Sequence, residues 1–160
     1  MNTTHSTSKT ILAIEDDTAL LGAITAKLQK ADFSVIAARS VDEVFTKEFL
    51  QTGAATLSSK SVAATLEHLQ SLQHVDAVWL DHNLIGTDDG LDFIVKFKAN
   101  GGTWSTIPIF VVSNSANPDL IKTYAEIGIN HYYLKAEHKL ETIVNDIIAA
   151  LSPQPVTALA

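Results

Sequence analysis

The amino-acid sequence predicts an α/β protein with a doubly wound, five-stranded parallel sheet. Short apolar runs alternate with segments of helical periodicity along the 160-residue chain, which is the pattern of parallel strands joined by crossover helices. Four of the apolar runs end at polar or charged residues, as strands of such sheets do where ligands bind. The length corresponds to one domain with a single core.

The strands are predicted from apolar runs of four to six residues, and the first helix from its periodicity. In chain order, the predicted strands cover residues 10–14, 33–38, 75–80, 107–112 and 131–134. Leu20, Ile24 and Leu28 recur at the i, i+4 spacing of one helix face, so a helix is expected over about residues 18–29.

The connection between the second and third strands is longer than the fold requires. It covers residues 41–74, whereas a crossover needs only about a dozen residues. Two stretches within it have helical character, so the sequence predicts an insertion there, in the form of an extended or doubled second helix. A tolerated surface insertion is the default explanation for its length.

The later helices are predicted from their ends and from one apolar stripe. Asn117 and Pro118 are a typical cap and first-turn residue, and Gly128 is a typical stop. The last helix is expected over about residues 138–151, where apolar residues recur along one face. The domain therefore spans residues 10–151, between a polar tail at 1–9 and a proline-interrupted tail at 152–160.

Composition and charge restrict the possible partners and the location. The net charge of -7 provides no basic stripe for a phosphate backbone, which argues against nucleic acid and anionic membranes as partners. The chain has no cysteine, so disulfides, thiolate metal sites and cysteine nucleophiles are excluded. It also has neither a signal-peptide pattern at its start nor an apolar run of membrane-spanning length. We therefore expect a cytoplasmic protein.

Polar side chains occur where four of the predicted strands end. Glu15 and Asp16 follow the first strand, Asp81 the third, Ser113 the fourth and Lys135 the fifth. Each has a simpler explanation when taken alone: a solvated helix start, a turn serine or a salt-bridged lysine. Together they would meet at one edge of the sheet, where converging carboxylates require a compensating cation such as Mg²⁺. This set of groups is suited to phosphoryl transfer.

Four stretches of the chain resemble the receiver domain of bacterial two-component response regulators. In family order they are ILAIEDDTALL, VDAVWLDHNL, IPIFVVSNSA and GINHYYLK, and the resemblance covers about residues 9–151. It implies a flavodoxin-like sheet with strand order 2-1-3-4-5. It also implies a stand-alone switch or phosphorelay shuttle. Such a protein is not an enzyme in the usual sense, because it catalyses only its own phosphorylation and dephosphorylation.

The resemblance implies a role for each residue of the metal and acceptor site. Asp81 would accept the phosphoryl group, and Lys135 would contact one of its oxygens. Glu15, Asp16 and Asp81 would bind Mg²⁺ together with the backbone carbonyl of Asn83. These roles belong to the family motif and come to this chain by resemblance.

The resemblance also implies how the signal is received and transmitted. A histidine kinase or histidine phosphotransfer protein would donate the phosphoryl group. Ser113 would then move towards that group as the switch hydroxyl, and Tyr132 would be the aromatic residue that changes position. Asn83 and Ser115 occupy positions that tune the lifetime of the phosphoryl group, and both are small and neutral here. The target would bind the face of the fourth helix, fifth strand and fifth helix.

Two departures from the family pattern leave a second function open. Ala136 follows the lysine where the family usually has a proline in a cis bond, and a non-proline cis bond costs about 2.5 to 4 kcal/mol. The peptide bond between Lys135 and Ala136 is therefore expected to be trans or strained. The segment HNLIGTDDG is also one residue longer than usual. A pseudo-receiver, which binds proteins without being phosphorylated, is the alternative.

A calcium-binding loop is a more remote alternative from the same segment. An EF-hand loop has ligands or a glycine at positions 1, 3, 6, 9 and 12, and here these are Asp81, Asn83, Gly86, Asp89 and Asp92. Ile85 stands where an oxygen ligand belongs, and the preceding run predicts a strand instead of a helix. A haloacid-dehalogenase-like phosphatase would need an acid where Asn83 stands, so it is set aside.

Overall fold

The computed structural model describes residues 8–41, 75–84, 86, 88–99 and 105–152. This part of the chain forms five strands and four helices, numbered here in chain order. The strands are β1 (Thr10–Ile14), β2 (Ser34–Ala38), β3 (Ala77–Asp81), β4 (Ile109–Ser113) and β5 (His131–Leu134). The helices are α1 (Thr18–Lys30), α2 (Gly90–Ala99), α3 (Pro118–Glu126) and α4 (Leu140–Leu151). Apart from residue 41, the predicted insertion at 41–74 lies outside the described residues, as do most of the predicted tails.

The strands form one parallel sheet in the order β2-β1-β3-β4-β5. This confirms the predicted fold class and strand order. Parallel strands that run in one direction bring all their carboxyl ends to the same edge of the sheet. The fold therefore places the ends of β1, β3, β4 and β5 side by side.

The bounds of β3 and β4 differ from the prediction, which ended these strands at residues 80 and 112. In the structure Asp81 pairs with Val112, and Ser113 pairs with Leu134. Each pairing arises because the neighbouring strand continues far enough to offer a partner for one more residue. Asp81 and Ser113 are consequently the last residues of their strands, where the sheet fixes their backbones.

The two faces of the sheet are covered by different helices, and each face has its own apolar cluster. Consecutive residues of a strand point to opposite faces of the sheet, so neighbouring residues of one strand belong to different clusters. On one face, Phe93 and Phe97 of α2 pack with the buried Tyr124 of α3. On the other face, α1 and α4 pack together through residues such as Ile24 and Ile147. The site lies at the edge between these two layers.

The helix ends follow the predicted capping residues. The side chain of Asn117 accepts a hydrogen bond from the backbone at the start of α3, and Pro118 is its first residue. Gly128 follows the end of α3 with φ +82°, a conformation that glycine adopts readily. The last helix begins at Leu140, two residues later than predicted.

Within the described ranges, no helix combines the length and apolar character needed to span a membrane.

Candidate functional site

An open depression of about 420 Å³ lies at the carboxyl edge of the sheet. Acidic, amide and ammonium groups from four strand ends surround it. Its lining consists of Glu15, Asp16, Asp17, Leu20, Asp81, Asn83, Asn114 and Lys135. The structure thus brings together the predicted acids and the predicted lysine, which are up to 120 residues apart in the chain.

Lys135 connects the two buried carboxylates of this site. Its Nζ donates hydrogen bonds to both carboxylate oxygens of Glu15 at 3.0 Å and to Oδ2 of Asp81 at 2.8 Å. The Glu15 and Asp81 side chains are 0% and 3% exposed, whereas that of Lys135 is 18% exposed. Its backbone N–H donates to the Ser113 carbonyl at 2.8 Å, which fixes the lysine to the end of β4. The Lys135 ammonium therefore lies beside Asp81 with Ala136 in the place of proline.

The peptide bond after Lys135 is trans, since the described backbone contains no cis peptide bond. Of the two geometries left open by the sequence, the unstrained one is found. The family's usual cis-proline is thus not needed to place this ammonium beside Asp81.

Burial and the crowding of like charges change the proton affinity of Glu15. Burial raises its pKa from 4.5 to about 7, and the Asp81 carboxylate adds to that increase, while Lys135 opposes it. Burial acts to lower the pKa of Lys135, but hydrogen bonds to Asp81 and Glu15 raise it overall. The lysine is therefore charged at neutral pH, and one ammonium faces two acids. An additional cation would be favoured at this position.

The chemistry of the acidic residues fits a hard divalent ion. One carboxylate oxygen from each of Glu15, Asp16 and Asp81 lies within 4.8 Å of the others. Oxygen ligands of this kind, completed by water, are what Mg²⁺ prefers. Asp16 is partly exposed, so the cluster is open to solvent on one side. The backbone N–H of Asn83 donates to Oδ1 of Asp81 at 3.1 Å and orients that carboxylate.

Ser113 is the last residue of β4, and Ser115 lies in the connection between β4 and α3. The Ser113 side chain is fully buried, and its Oγ accepts a hydrogen bond from the Ser115 N–H at 3.0 Å. The β3–β4 register pairs Asp81 with Val112, so Ser113 stands one residue beyond the level of Asp81 on the neighbouring strand. Its role as a switch hydroxyl and the lifetime role of Ser115 remain predictions.

Tyr132 and Tyr133 face opposite sides of β5, as strand alternation requires. Tyr132 is half-buried and its hydroxyl donates to the Ser115 carbonyl at 2.8 Å. Tyr133 is buried on the other face, where its hydroxyl donates to Asp146 at 2.9 Å. The switch role of Tyr132 is not tested by this geometry and stays a prediction.

Three contributions to the site were not predicted from the sequence. Asn114 and Leu20 line the depression, and His82, the residue after Asp81, forms a hydrogen bond with Tyr124. Asn114 could have been found from its place after β4, between two residues that the resemblance singles out. The hydrogen bond between His82 and Tyr124 leaves no signal in the sequence, because it depends on how α3 packs against the sheet.

The calcium-loop hypothesis is wrong in its structural requirement. Residues 77–81 form the buried strand β3, where an EF-hand needs a helix. Asp89 also has another role, because its Oδ1 accepts hydrogen bonds from the backbones of Leu91 and Asp92 at the start of α2. It therefore acts as a helix cap. Ile85, the residue that weakened this hypothesis, lies outside the described residues.

Comparisons with known proteins were made at the level of sequence and of structure. No protein-family model matches the chain, and no curated protein sequence matches it significantly. Solved structures do match. A CheY-like receiver domain protein from Methanospirillum hungatei has a TM-score of 0.65 at 16% identity, over 90% of this chain and 94% of that one. A two-component response regulator from Clostridium difficile has a TM-score of 0.66 at 19% identity, over 90% and 96%.

A third similar structure is that of a response regulator from Burkholderia pseudomallei, described with a phosphorylated aspartic acid, a calcium ion and citrate. Its TM-score is 0.60 at 17% identity, over 89% of this chain and 72% of that one. At these identities a likeness establishes the fold. Together with the strand order, the likenesses show that this chain has the fold of response regulator receiver domains.

Proposed function

We propose that this protein is a phosphorylatable signalling switch or phosphorelay shuttle in which Asp81 accepts a phosphoryl group. One observation carries the proposal: the buried Asp81 carboxylate lies 2.8 Å from the Lys135 ammonium, at the open depression that it shares with Glu15 and Asp16. A nucleophilic carboxylate, a cation and a divalent-metal donor set in one place are what aspartyl phosphorylation requires. The receiver fold supports the same conclusion.

The donor would be a phosphohistidine of a histidine kinase or histidine phosphotransfer protein. A carboxylate oxygen of Asp81 forms a bond to phosphorus, the phosphorus–nitrogen bond of the donor breaks, and the imidazole nitrogen keeps the electron pair. Lys135 donates to a phosphoryl oxygen as negative charge accumulates there. The Asn83 N–H holds the carboxylate in orientation during the attack.

Glu15, Asp16, Asp81 and the backbone carbonyl of Asn83 would hold the metal ion. When bound, Mg²⁺ supplies positive charge that offsets repulsion between the carboxylates and the incoming phosphoryl oxygens. The similar Burkholderia pseudomallei structure is described with a phosphorylated aspartic acid and a calcium ion. An aspartyl phosphate and a divalent ion are therefore each compatible with this fold.

The output would be a change on the face formed by the predicted fourth helix, which is α3 in the structure, by β5 and by the predicted fifth helix, which is α4. The Ser113 hydroxyl would donate to another phosphoryl oxygen, and Tyr132 would change position, so that a local charge change favours one of two packings. Neutral Asn83 and Ser115 provide no strong base for hydrolysis, so a long-lived phosphoryl group is expected. The partner on that face would be a cytoplasmic protein, with neither nucleic acid nor membrane involved.

Mass spectrometry of the intact protein tests this function. After incubation with acetyl phosphate and Mg²⁺, the wild type should gain one phosphoryl mass, and peptide mapping should locate it at Asp81. Asp81→Asn should gain none. Asp119→Asn, which changes an exposed aspartate at the start of α3, is the matched control and should label like the wild type. Chelation of the metal should prevent labelling. An unchanged wild-type mass would favour the pseudo-receiver.

A further inference from the structure

A continuous series of contacts joins the residue after the acceptor to Tyr132. A hydrogen bond of 2.7 Å connects His82 Nδ1 with the Tyr124 hydroxyl. The ring of Tyr124 in turn packs against that of Tyr132, with centroids 5.5 Å apart. The Tyr132 hydroxyl donates to the Ser115 carbonyl at 2.8 Å. The series therefore begins and ends at the rim of the site and passes through the core beneath it.

Tyr124 is fixed at the centre of this series. Its side chain is 0% exposed, and the His82 and Tyr124 rings meet edge-on at 86°. A Cβ atom built on Gly90 would lie 3.1 Å from its hydroxyl, 3.0 Å from the Asp81 carbonyl oxygen and 3.0 Å from the His82 Cα. The start of α2, the loop after Asp81 and the tyrosine hydroxyl therefore leave no room for a side chain between them.

The hydroxyl of Tyr124 depends on His82. A buried hydroxyl has lost its hydrogen bonds to water, so it destabilises the fold unless it gains a partner within the protein. Within the described ranges, the partner of the Tyr124 hydroxyl is His82. Burial, followed by the charge of Asp89, raises the pKa of Tyr124. The phenol is thus neutral at physiological pH and able to donate or accept. A displacement of the His82 backbone would move or break this bond.

The same loop is also attached on its other side. The Gly90 N–H donates to the His82 carbonyl at 3.0 Å, so α2, His82 and Tyr124 form one packed unit directly after Asp81. Tightly packed interiors transmit displacement because they contain few voids to absorb it. A change in the loop after Asp81 would therefore reach the Tyr132 ring through Tyr124.

We propose that Tyr124 is a positioning residue that couples the loop after Asp81 to Tyr132, by a route separate from the Ser113 hydroxyl. The use of this route in signalling rests on the proposed function, but the physical connection exists in the unmodified protein. Coupling of this kind is reciprocal. A change at Tyr132 must therefore alter the environment of the His82 ring, with or without phosphorylation.

The connection is tested first in the unmodified protein by NMR of the His82 ring. Tyr132→Leu should shift the His82 ring resonances in the wild-type background. In the Tyr124→Phe background, which keeps the ring and removes the hydroxyl, the same substitution should shift them by less than half as much. Tyr133→Phe, on the opposite face of β5, is the matched control and should leave them in place. Equal shifts in both backgrounds, or no shift in either, would overturn the proposal.

The role in signalling is tested with 3-fluorotyrosine and fluorine NMR of Tyr132. Acetyl phosphate and Mg²⁺ should shift the Tyr132 signal in the wild type. Tyr124→Phe should still gain the phosphoryl mass, but its Tyr132 shift should fall by half or more, and His82→Gln should reproduce that loss from the other end. A full wild-type shift in both variants would refute the coupling role. If the wild type gains no phosphoryl mass, the proposed function fails, and the His82 measurement still decides the connection.

Discussion

Replacement of Lys135 by methionine removes the ammonium that faces two buried acids. Methionine is similar in length, so the main loss is the charge and its three hydrogen bonds to Glu15 and Asp81. Removal of one partner from a buried ion pair costs about 3 to 5 kcal/mol, because the other charge stays buried and unpaired. The lysine is 18% exposed, so we expect the lower end, about 3 kcal/mol in the absence of metal.

Urea denaturation in the presence of a chelator measures this loss. With a slope of about 1.5 kcal/mol per molar urea, a loss of about 3 kcal/mol lowers the midpoint by about 2 M. Lys122→Met is the matched control. Lys122 forms an exposed i, i+4 pair with Glu126 at 3.8 Å, and such pairs contribute about 0.5 kcal/mol or less.

Two further measurements separate charge pairing from simple packing. Mg²⁺ should recover part of the Lys135→Met loss, because a divalent ion can neutralise the same carboxylates. Glu15→Gln added to Lys135→Met should also recover part of it, so the double-mutant cycle should show a coupling energy well above its error. The urea midpoint of Lys135→Met is expected to lie about 2 M below that of the wild type. A midpoint within about 0.3 M of the wild type would refute the reasoning that the ammonium compensates these acids.

Four other predictions follow from the packing, the acidic cluster and the helix capping of the same fold. Gly90→Ala should lower the unfolding free energy by about 1 to 3 kcal/mol, because its methyl group would meet backbone atoms at 3.0 Å. Gly22→Ala, in open space on α1, should raise it by about 0.5 to 1 kcal/mol in the same urea titration. Asp16→Asn should weaken Mg²⁺ binding about tenfold or more in calorimetry, since it removes one of three anionic ligands. Asn117→Ala should lower stability by about 1 kcal/mol in thermal unfolding through loss of the α3 cap.

Much of the fold could be predicted because each strand is a short apolar run, and β1, β3 and β4 are buried along nearly their whole length. The bounds of β1 and β5 match the prediction, and α1 is one residue longer than predicted. The site was predictable for a related reason. A parallel sheet collects the ends of its strands at one edge, so Asp81 and Lys135 were expected near one another once the strand order implied by the resemblance was added to the strand assignments.

Other features could not be predicted because they depend on tertiary partners. The last residue of β3 is set by a neighbour on β4, which local propensity cannot reveal. The bond between His82 and Tyr124 depends on the position of α3 above the sheet and leaves no local pattern in the sequence. The raised pKa of Glu15 depends mainly on its burial. The sequence shows only that Glu15 is one of three consecutive acids, with Asp16 and Asp17, before the first helix.

The charged cluster also bears on the choice between a phosphorylated receiver and a pseudo-receiver. Glu15 and Asp81 are almost fully buried, and the single ammonium of Lys135 pairs with both carboxylates. Burial of two carboxylates beside one cation lowers stability relative to apolar residues of similar size, and it raises the pKa of Glu15 to about 7. A domain that only binds proteins through its outer face gains nothing from this arrangement. The proposed phosphoryl transfer to Asp81 would use every part of this arrangement, because it adds negative oxygens beside an ammonium and a cluster of candidate metal ligands.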